Sequence, residues 1–285
     1  MQNAVELKKF AVEIRRQTMK CIGSLGVGHL GGALSVVDLL AVLYGGEMNI
    51  DPADPKKDDR DFLVVSKGHA GPAVYSTLAL KGYFPMEMLD TLNRGGTNLP
   101  SHCDMNRTPG IDMTTGSLGQ GASSAMGIAC GNRLKGYSNY TYLILGDGEI
   151  EEGQVWEAAL FAGAKKLDHV IAFVDNNRLQ IDDTVENLCA LEAENIAKKF
   201  EAFGWYAQTV ADGNDVEQIS AAIANAKAQG EKPSAIVLRT VKGKGFSQIE
   251  NSLGSHNMNV SPQQVQDALA ELDAAMQALE SGEGC

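Results

Sequence analysis

Two oxygen-bearing side chains stand thirty residues apart, each just beyond an apolar segment. Asp147 lies in the loop Gly146-Asp147-Gly148 after YLIL (142–145), and Asn177 follows VIAFV (170–174). Where neighbouring strands run parallel and a helix joins them, both of these ends reach the same sheet edge. One carboxylate and one amide oxygen, with the backbone carbonyl of Leu179 just beyond, make a hard oxygen site with room for diphosphate oxygens and water. That donor set suits magnesium, which takes few protein ligands and completes its octahedron with phosphate and water. A GDG turn or an Asn-Asn strand end alone is an ordinary structural feature; the joint spacing carries the reading.

Histidine placement is the second signal. Of five histidines, four stand in irregular, Gly-rich or polar contexts: His29 in GVGHLGG, His69 in SKGHAGP, His102 in LPSHCDM and His256 in GSHNMNV. A single histidine is usually a hydrogen-bonded structural residue. Four in such contexts can form a cluster that exchanges protons near neutral pH and hydrogen-bonds a polyhydroxy substrate. The fifth, His169, opens the VIAFV segment and reads as structural.

Positioning these groups requires strands and helices in alternation. Strand-length apolar runs occur at 62–65, 142–145, 170–174 and 235–238. Helical spacing is predicted over 4–24, 35–44, 71–81, 119–135, 153–165, 192–203 and 214–228. The pattern predicts an α/β fold, a parallel sheet covered by helices, as one domain over 1–285. A last helix over about 261–280 carries its own start signal, with Ser261 as cap, Pro262 in the first turn and Gln264 completing a capping box. Thirty-one glycines cluster at 23–32, 115–121, 146–148 and 243–245. Loops of that kind at strand ends let a backbone approach a phosphorylated ligand.

Charge and cysteine usage exclude other classes. A formal net charge of −12 repels a phosphate backbone, so nucleic acid is not expected as a partner. Cys21, Cys103, Cys130, Cys189 and Cys285 are odd in number and lack a CxxC pair, which argues against a disulfide framework or a zinc site. No apolar run is long enough to cross a bilayer, and the amphipathic amino terminus does not look like a signal peptide, so a cytoplasmic location is expected. GxxxxGK[ST] is absent, and GQGASSAMG has Ser124 where a dinucleotide fingerprint needs its third glycine.

From Leu143 to Asp183 the chain resembles the thiamine-diphosphate enzyme signature, which opens with GDG and closes about thirty residues later with an asparagine pair. The resemblance implies that Asp147, Asn177 and the Leu179 carbonyl hold the metal, Mg2+ or another divalent cation such as Ca2+ or Mn2+. GHLGGALS, DFLVVSKGHAGPAVYSTLALKGYF, LPSHCDMNRTPGIDMTTGSLGQGASSAMGIA and TVKGKGFSQIEN followed by GSH are similar to consecutive transketolase motifs, covering roughly 5–260. That likeness implies the diphosphate-binding type of thiamine-diphosphate fold, with helices on both sheet faces. By the same match His29 and His256 lie by the substrate's reacting carbon, with His256 also near the diphosphate. His69 also faces the diphosphate, and His102 meets the donor's terminal hydroxyl. Gly116 and Leu118 line the cofactor channel, Gly148 binds diphosphate through its N–H, and Glu152 matches an acid at the dimer contact or simply opens a solvated helix.

A whole transketolase is more than twice as long. The resemblance therefore implies a second chain that supplies the pyrimidine-binding and C-terminal domains, the glutamate that addresses the aminopyrimidine and much of the acceptor-phosphate site. It also implies a two-plus-two assembly. The expected reaction is transfer of a two-carbon ketol unit from a ketose phosphate to an aldose phosphate, in the pentose phosphate manner. Alternatives are a split enzyme for a branched or sulfonated sugar phosphate, a decarboxylating two-subunit dehydrogenase component, and an inert cofactor-binding regulatory subunit.

Overall fold

The computed structural model describes residues 3–189 and 192–282; Cys285 lies outside them. Five strands, β2 (Phe62–Val65), β3 (Thr141–Gly146), β4 (Val170–Asn176), β5 (Tyr206–Val210) and β6 (Ser234–Arg239), form one sheet in the order β2-β3-β4-β6-β5. Every pairing is parallel. A two-residue strand β1 (Val27–Gly28) pairs antiparallel with β7 (Met258–Asn259) outside this sheet. The helices are α1 (Ala4–Leu25), α2 (Gly31–Leu34), α3 (Val37–Val42), α4 (Gly71–Leu80), α5 (Gln120–Leu134), α6 (Gly153–Lys165), α7 (Val185–Leu188), α8 (Ala193–Ala202), α9 (Val216–Gln229) and α10 (Pro262–Ser281).

Alternation along the strands divides the apolar side chains between two cores. Tyr142, Ile144, Ile171, Phe173, Ile236 and Leu238 face a layer containing α1, α3, α4, α9 and α10. Leu143, Leu145, Ala172, Val174, Ala235 and Val237 face α5, α6 and α8. β4 is central and buried at every residue, which is why its sequence is a continuous apolar run up to Asp175. On α1 the buried positions Leu7, Ala11, Ile14 and Thr18 recur at helical spacing.

The four expected strands are all present. β5 escaped the sequence reading because it is an edge strand, YAQTV, of which only Val210 is fully buried. The continuous helix expected over 35–44 is corrected. The chain makes α2, breaks at Ser35 and Val36, makes α3, and then opens into a wider turn over Leu43–Glu47, where Gly46 holds φ 148. The capping box of α10 forms as expected: Gln264 N donates to Ser261 Oγ at 3.2 Å and Ser261 N donates to Gln264 Oε1 at 3.0 Å.

Candidate active site

The C-terminal ends of β2, β3, β4 and β6 come together at one sheet edge. Asp147 follows β3 and Asn177 follows β4, and both side chains are buried. Asp147 is tied to the Asn177 loop: its Oδ2 accepts from Arg178 N at 2.6 Å, while its Oδ1 accepts from Gly148 N at 2.9 Å. Asn177 Oδ1 accepts from Leu179 N at 3.1 Å, which closes the loop after β4 into a short turn. Arg178 adopts φ 66 in this tight turn. Burial first, and then the neighbouring Asp175, push the Asp147 carboxyl up to about 7. This is a carboxylate short of positive charge.

Above this floor the four histidines converge. The His29 ring lies 5.4 Å from His69, 5.3 Å from His102 and 5.4 Å from His256, centroid to centroid. His69 and His256 are 5.0 Å apart. All four line one cavity of about 360 Å³ that also exposes Gly116, Leu118, Asp147, Gly148, Asn177 and Leu179. Every residue singled out as a cofactor, metal or catalytic candidate therefore borders one space. His169 stands elsewhere, 3.3 Å from Asp168 and against the ring of Tyr140, at the opposite end of β4. Glu152 is exposed at the start of α6.

The imidazoles are held neutral. Burial lowers all four, and for His29 the neighbouring His102 adds to it. His69 falls well below its ordinary value through burial, Lys67 and the other rings. His256 is pushed down to about 4 by burial and then by Lys242, His29 and Lys67. Neutral imidazoles can accept a hydroxyl proton and return it.

Two lysines and two acids belong to the site without having been singled out in the sequence. Lys67 follows β2 and Lys242 follows β6; both are almost fully buried yet border the cavity. Lys242 Nζ donates to the Leu179 carbonyl at 2.8 Å, and burial with Lys67 nearby brings its ammonium down to about 8. Lys67 pairs with Asp175. Glu149 accepts from Gly119 N at 2.9 Å and Gly146 N at 3.0 Å and also bonds Ser66, which ties the two Gly-rich loops together. The available signal was SKGH and VKGK, where each lysine directly precedes a glycine of the site loops.

Close approach explains two glycines. Gly116 holds φ 153 beside the His102 ring, a conformation that strains a larger residue. A Cβ on Gly32 would stand 3.2 Å from His69 Nε2.

Residues 7–275 match the family described as Transketolase, thiamine diphosphate binding domain. The chain belongs to the transketolase family. A transketolase-family protein of Clostridium sp. (strain MSTE9), the 6-deoxy-6-sulfo-D-fructose transketolase subunit, is 52% identical, covering 95% of this chain and 98% of its own. An apulose-4-phosphate transketolase subunit of Phocaeicola vulgatus is 35% identical, covering 93% of each. The crystal structure of Campylobacter jejuni transketolase superposes with a TM-score of 0.88 at 28% identity, covering 99% of this chain and 46% of that one. The chain thus spans about half of a full-length transketolase and nearly all of the two subunit relatives.

The transketolase residues present fit the family's cofactor. No three His, Cys, Asp or Glu side chains among the described residues converge to hold a metal alone. Such a site suits a cation that shares its shell with phosphate oxygens rather than one caged by protein. A buried carboxylate, an amide oxygen and a carbonyl are the donor types that such a partial shell takes. Lys242 and the N–H groups of the glycine loops offer positive charge and donors to a diphosphate.

Proposed function

We propose that this chain, a single domain over 1–285, is the diphosphate-binding subunit of a two-chain transketolase. It transfers a two-carbon ketol unit from a ketose to an aldose phosphate, and its preferred donor is a 6-sulfonated ketose. The convergence of four neutral imidazoles on one cavity, over a carboxylate-amide floor, carries the reaction class. The 52% identity to the sulfofructose subunit over nearly the whole of both chains supports the donor, in place of the ordinary pentose phosphates first expected.

In this reading Asp147, Asn177 and the Leu179 carbonyl hold Mg2+, with Ca2+ or Mn2+ as substitutes. Gly148 and His256 address the diphosphate together with His69 and Lys242, and Gly116 and Leu118 border the channel. When bound, thiamine diphosphate would supply a nucleophilic carbon and an electron sink that retains the two-carbon unit and its negative charge while the shortened aldose departs. His29 or His256 accepts the one proton of the donor's C3 hydroxyl as the C2–C3 bond breaks and returns it to the acceptor's former carbonyl oxygen when the acceptor is joined. His102 orients the terminal hydroxyl. The shortened aldose leaves two carbons poorer and the acceptor leaves two carbons richer.

The other half of the site comes from a separate subunit carrying the pyrimidine-binding and C-terminal domains. The coverage of 46% of a full-length enzyme against 98% of a subunit relative supports this. Two pairs form the assembly by analogy with symmetric enzymes of this kind. The decisive experiment mixes the chain with the protein encoded beside it, adds thiamine diphosphate, Mg2+ and ribose 5-phosphate as acceptor, and compares 6-deoxy-6-sulfo-D-fructose with xylulose 5-phosphate as donor. The expected result is four-carbon sulfonated aldose from the first at the higher kcat/KM, and only in the mixture. A higher kcat/KM for xylulose 5-phosphate would return the chain to the pentose phosphate reaction, and turnover by the chain alone would remove the second subunit.

A further inference from the structure

We infer that Asp175 is a positioning residue that fixes the amide of Asn177 with its oxygen toward the cation, through a buried network closed by Ser35, Lys67 and Thr240. This rests on reading Asp147, Asn177 and the Leu179 carbonyl as the cation site. Asp175 is 1% exposed at the end of the central strand. Its Oδ2 accepts from Ser35 Oγ at 2.6 Å, from Asn177 Nδ2 at 3.0 Å and from Lys67 Nζ. Its Oδ1 accepts from Thr240 Oγ1. The four donors arrive from four places: the break after α2, the end of β2, the loop after β4 and the end of β6.

The amide has two ends and only one arrangement satisfies both. An ionised carboxylate accepts hydrogen bonds and donates none, so it takes the NH2 end of Asn177. The oxygen end then faces the loop, where Leu179 N donates to it. A reversed amide would set its oxygen against a carboxylate and its NH2 against an N–H, losing two hydrogen bonds and creating two repulsions. Ser35 Oγ, Lys67 Nζ and Thr240 Oγ1 all direct donors at Asp175, the arrangement of a carboxylate that only accepts. The pairing of Lys67 with Asp175 leaves Asp147 as the carboxylate without a lysine partner, facing the cavity.

Replacing Lys67 and Asp175 together by Met and Leu removes the network without leaving a buried charge, a change that often preserves or raises stability. The test titrates Mn2+ into the full-length chain with thiamine diphosphate present, follows free Mn2+ by electron paramagnetic resonance, and records melting temperature in chelator. Partners that orient a metal ligand typically account for about 10–100-fold in affinity, and Lys67→Met/Asp175→Leu is expected to lose at least the lower figure. Ser35→Ala and Thr240→Val, which keep the ion pair, are expected to show smaller losses with nearly unchanged melting temperature. A role in stability alone would lower the melting temperature and leave the Mn2+ affinity of the folded chain intact, and that result overturns the proposal. Should the double variant not fold, unchanged Mn2+ affinity in both single variants overturns it equally. A wild-type chain that binds no Mn2+ overturns the cation reading beneath it, which separates the two failures.

Discussion

His256 shows most directly how the site holds a base ready at neutral pH. Its folded value of about 4 lies well below the ordinary 6.5, so between those values the unfolded chain binds a proton that the folded chain refuses. Stability contributed by this depression is complete above pH 6.5 and is lost as pH falls toward 4. Asp147, pushed up to about 7, works in the opposite sense over the same range, so the net slope of the wild type mixes the two. A difference between proteins isolates the histidine. His256→Gln is expected to lose less stability than wild type when denaturant midpoints at pH 7 and pH 4.5 are compared, and parallel behaviour would show that His256 titrates normally. His69 lies nearer Lys67 and deeper, so its substitution should flatten the slope in the same direction.

Among the elements, what was legible followed from local pattern. Apolar runs announced β2, β3, β4 and β6, and the spacing of Asp147 and Asn177 announced which ends would meet. β5 was illegible because an edge strand that packs on one flank only carries no apolar run. The break after α2 was illegible for another reason: Ser35 turns its hydroxyl to Asp175, a residue 140 positions away, and no local preference reports that bond. Lys67 and Asp175 were missed likewise, since a lysine before a glycine reads as solvated until the strand 108 positions on is placed beside it. α10 lies at the legible extreme. Ser261→Ala removes the hydroxyl that accepts from Gln264 N and leaves the backbone half of the reciprocal cap, and such losses typically cost about 1 kcal/mol. The expected consequence is a drop of about 2 °C in melting temperature, with cofactor affinity untouched. A larger loss, or one that spreads to the cation site, would mean that the bonds of Glu271 to Ser247 and of Asp267 to Gln248 depend on the cap and carry its loss into the loop at 243–260.

At the scale of the whole molecule, the cavity is open where a second chain is proposed to close it. Leu118 and Ile181 border it and remain 39% and 66% exposed, which leaves apolar surface at the mouth of a polar site. In the proposed reading the chain itself offers the diphosphate and cation groups, so binding by the isolated chain draws on electrostatics and hydrogen bonds at one end of the ligand. Closure by the proposed subunit would bury the other end and these two side chains, adding apolar area at roughly 25 cal/mol per Å². A ligand at a hundred times its dissociation constant stabilises a fold by about 2.7 kcal/mol. The concentration needed to reach that shift therefore reports how complete the site is. With Mg2+ present, thiamine diphosphate is expected to raise the melting temperature of the isolated chain only at high concentration. In the mixture with the second subunit, the same shift should appear at least about tenfold lower in ligand, the equivalent of 1.4 kcal/mol. Equal concentrations in both cases would mean that this chain builds the whole cofactor site alone and that its partner serves the substrates.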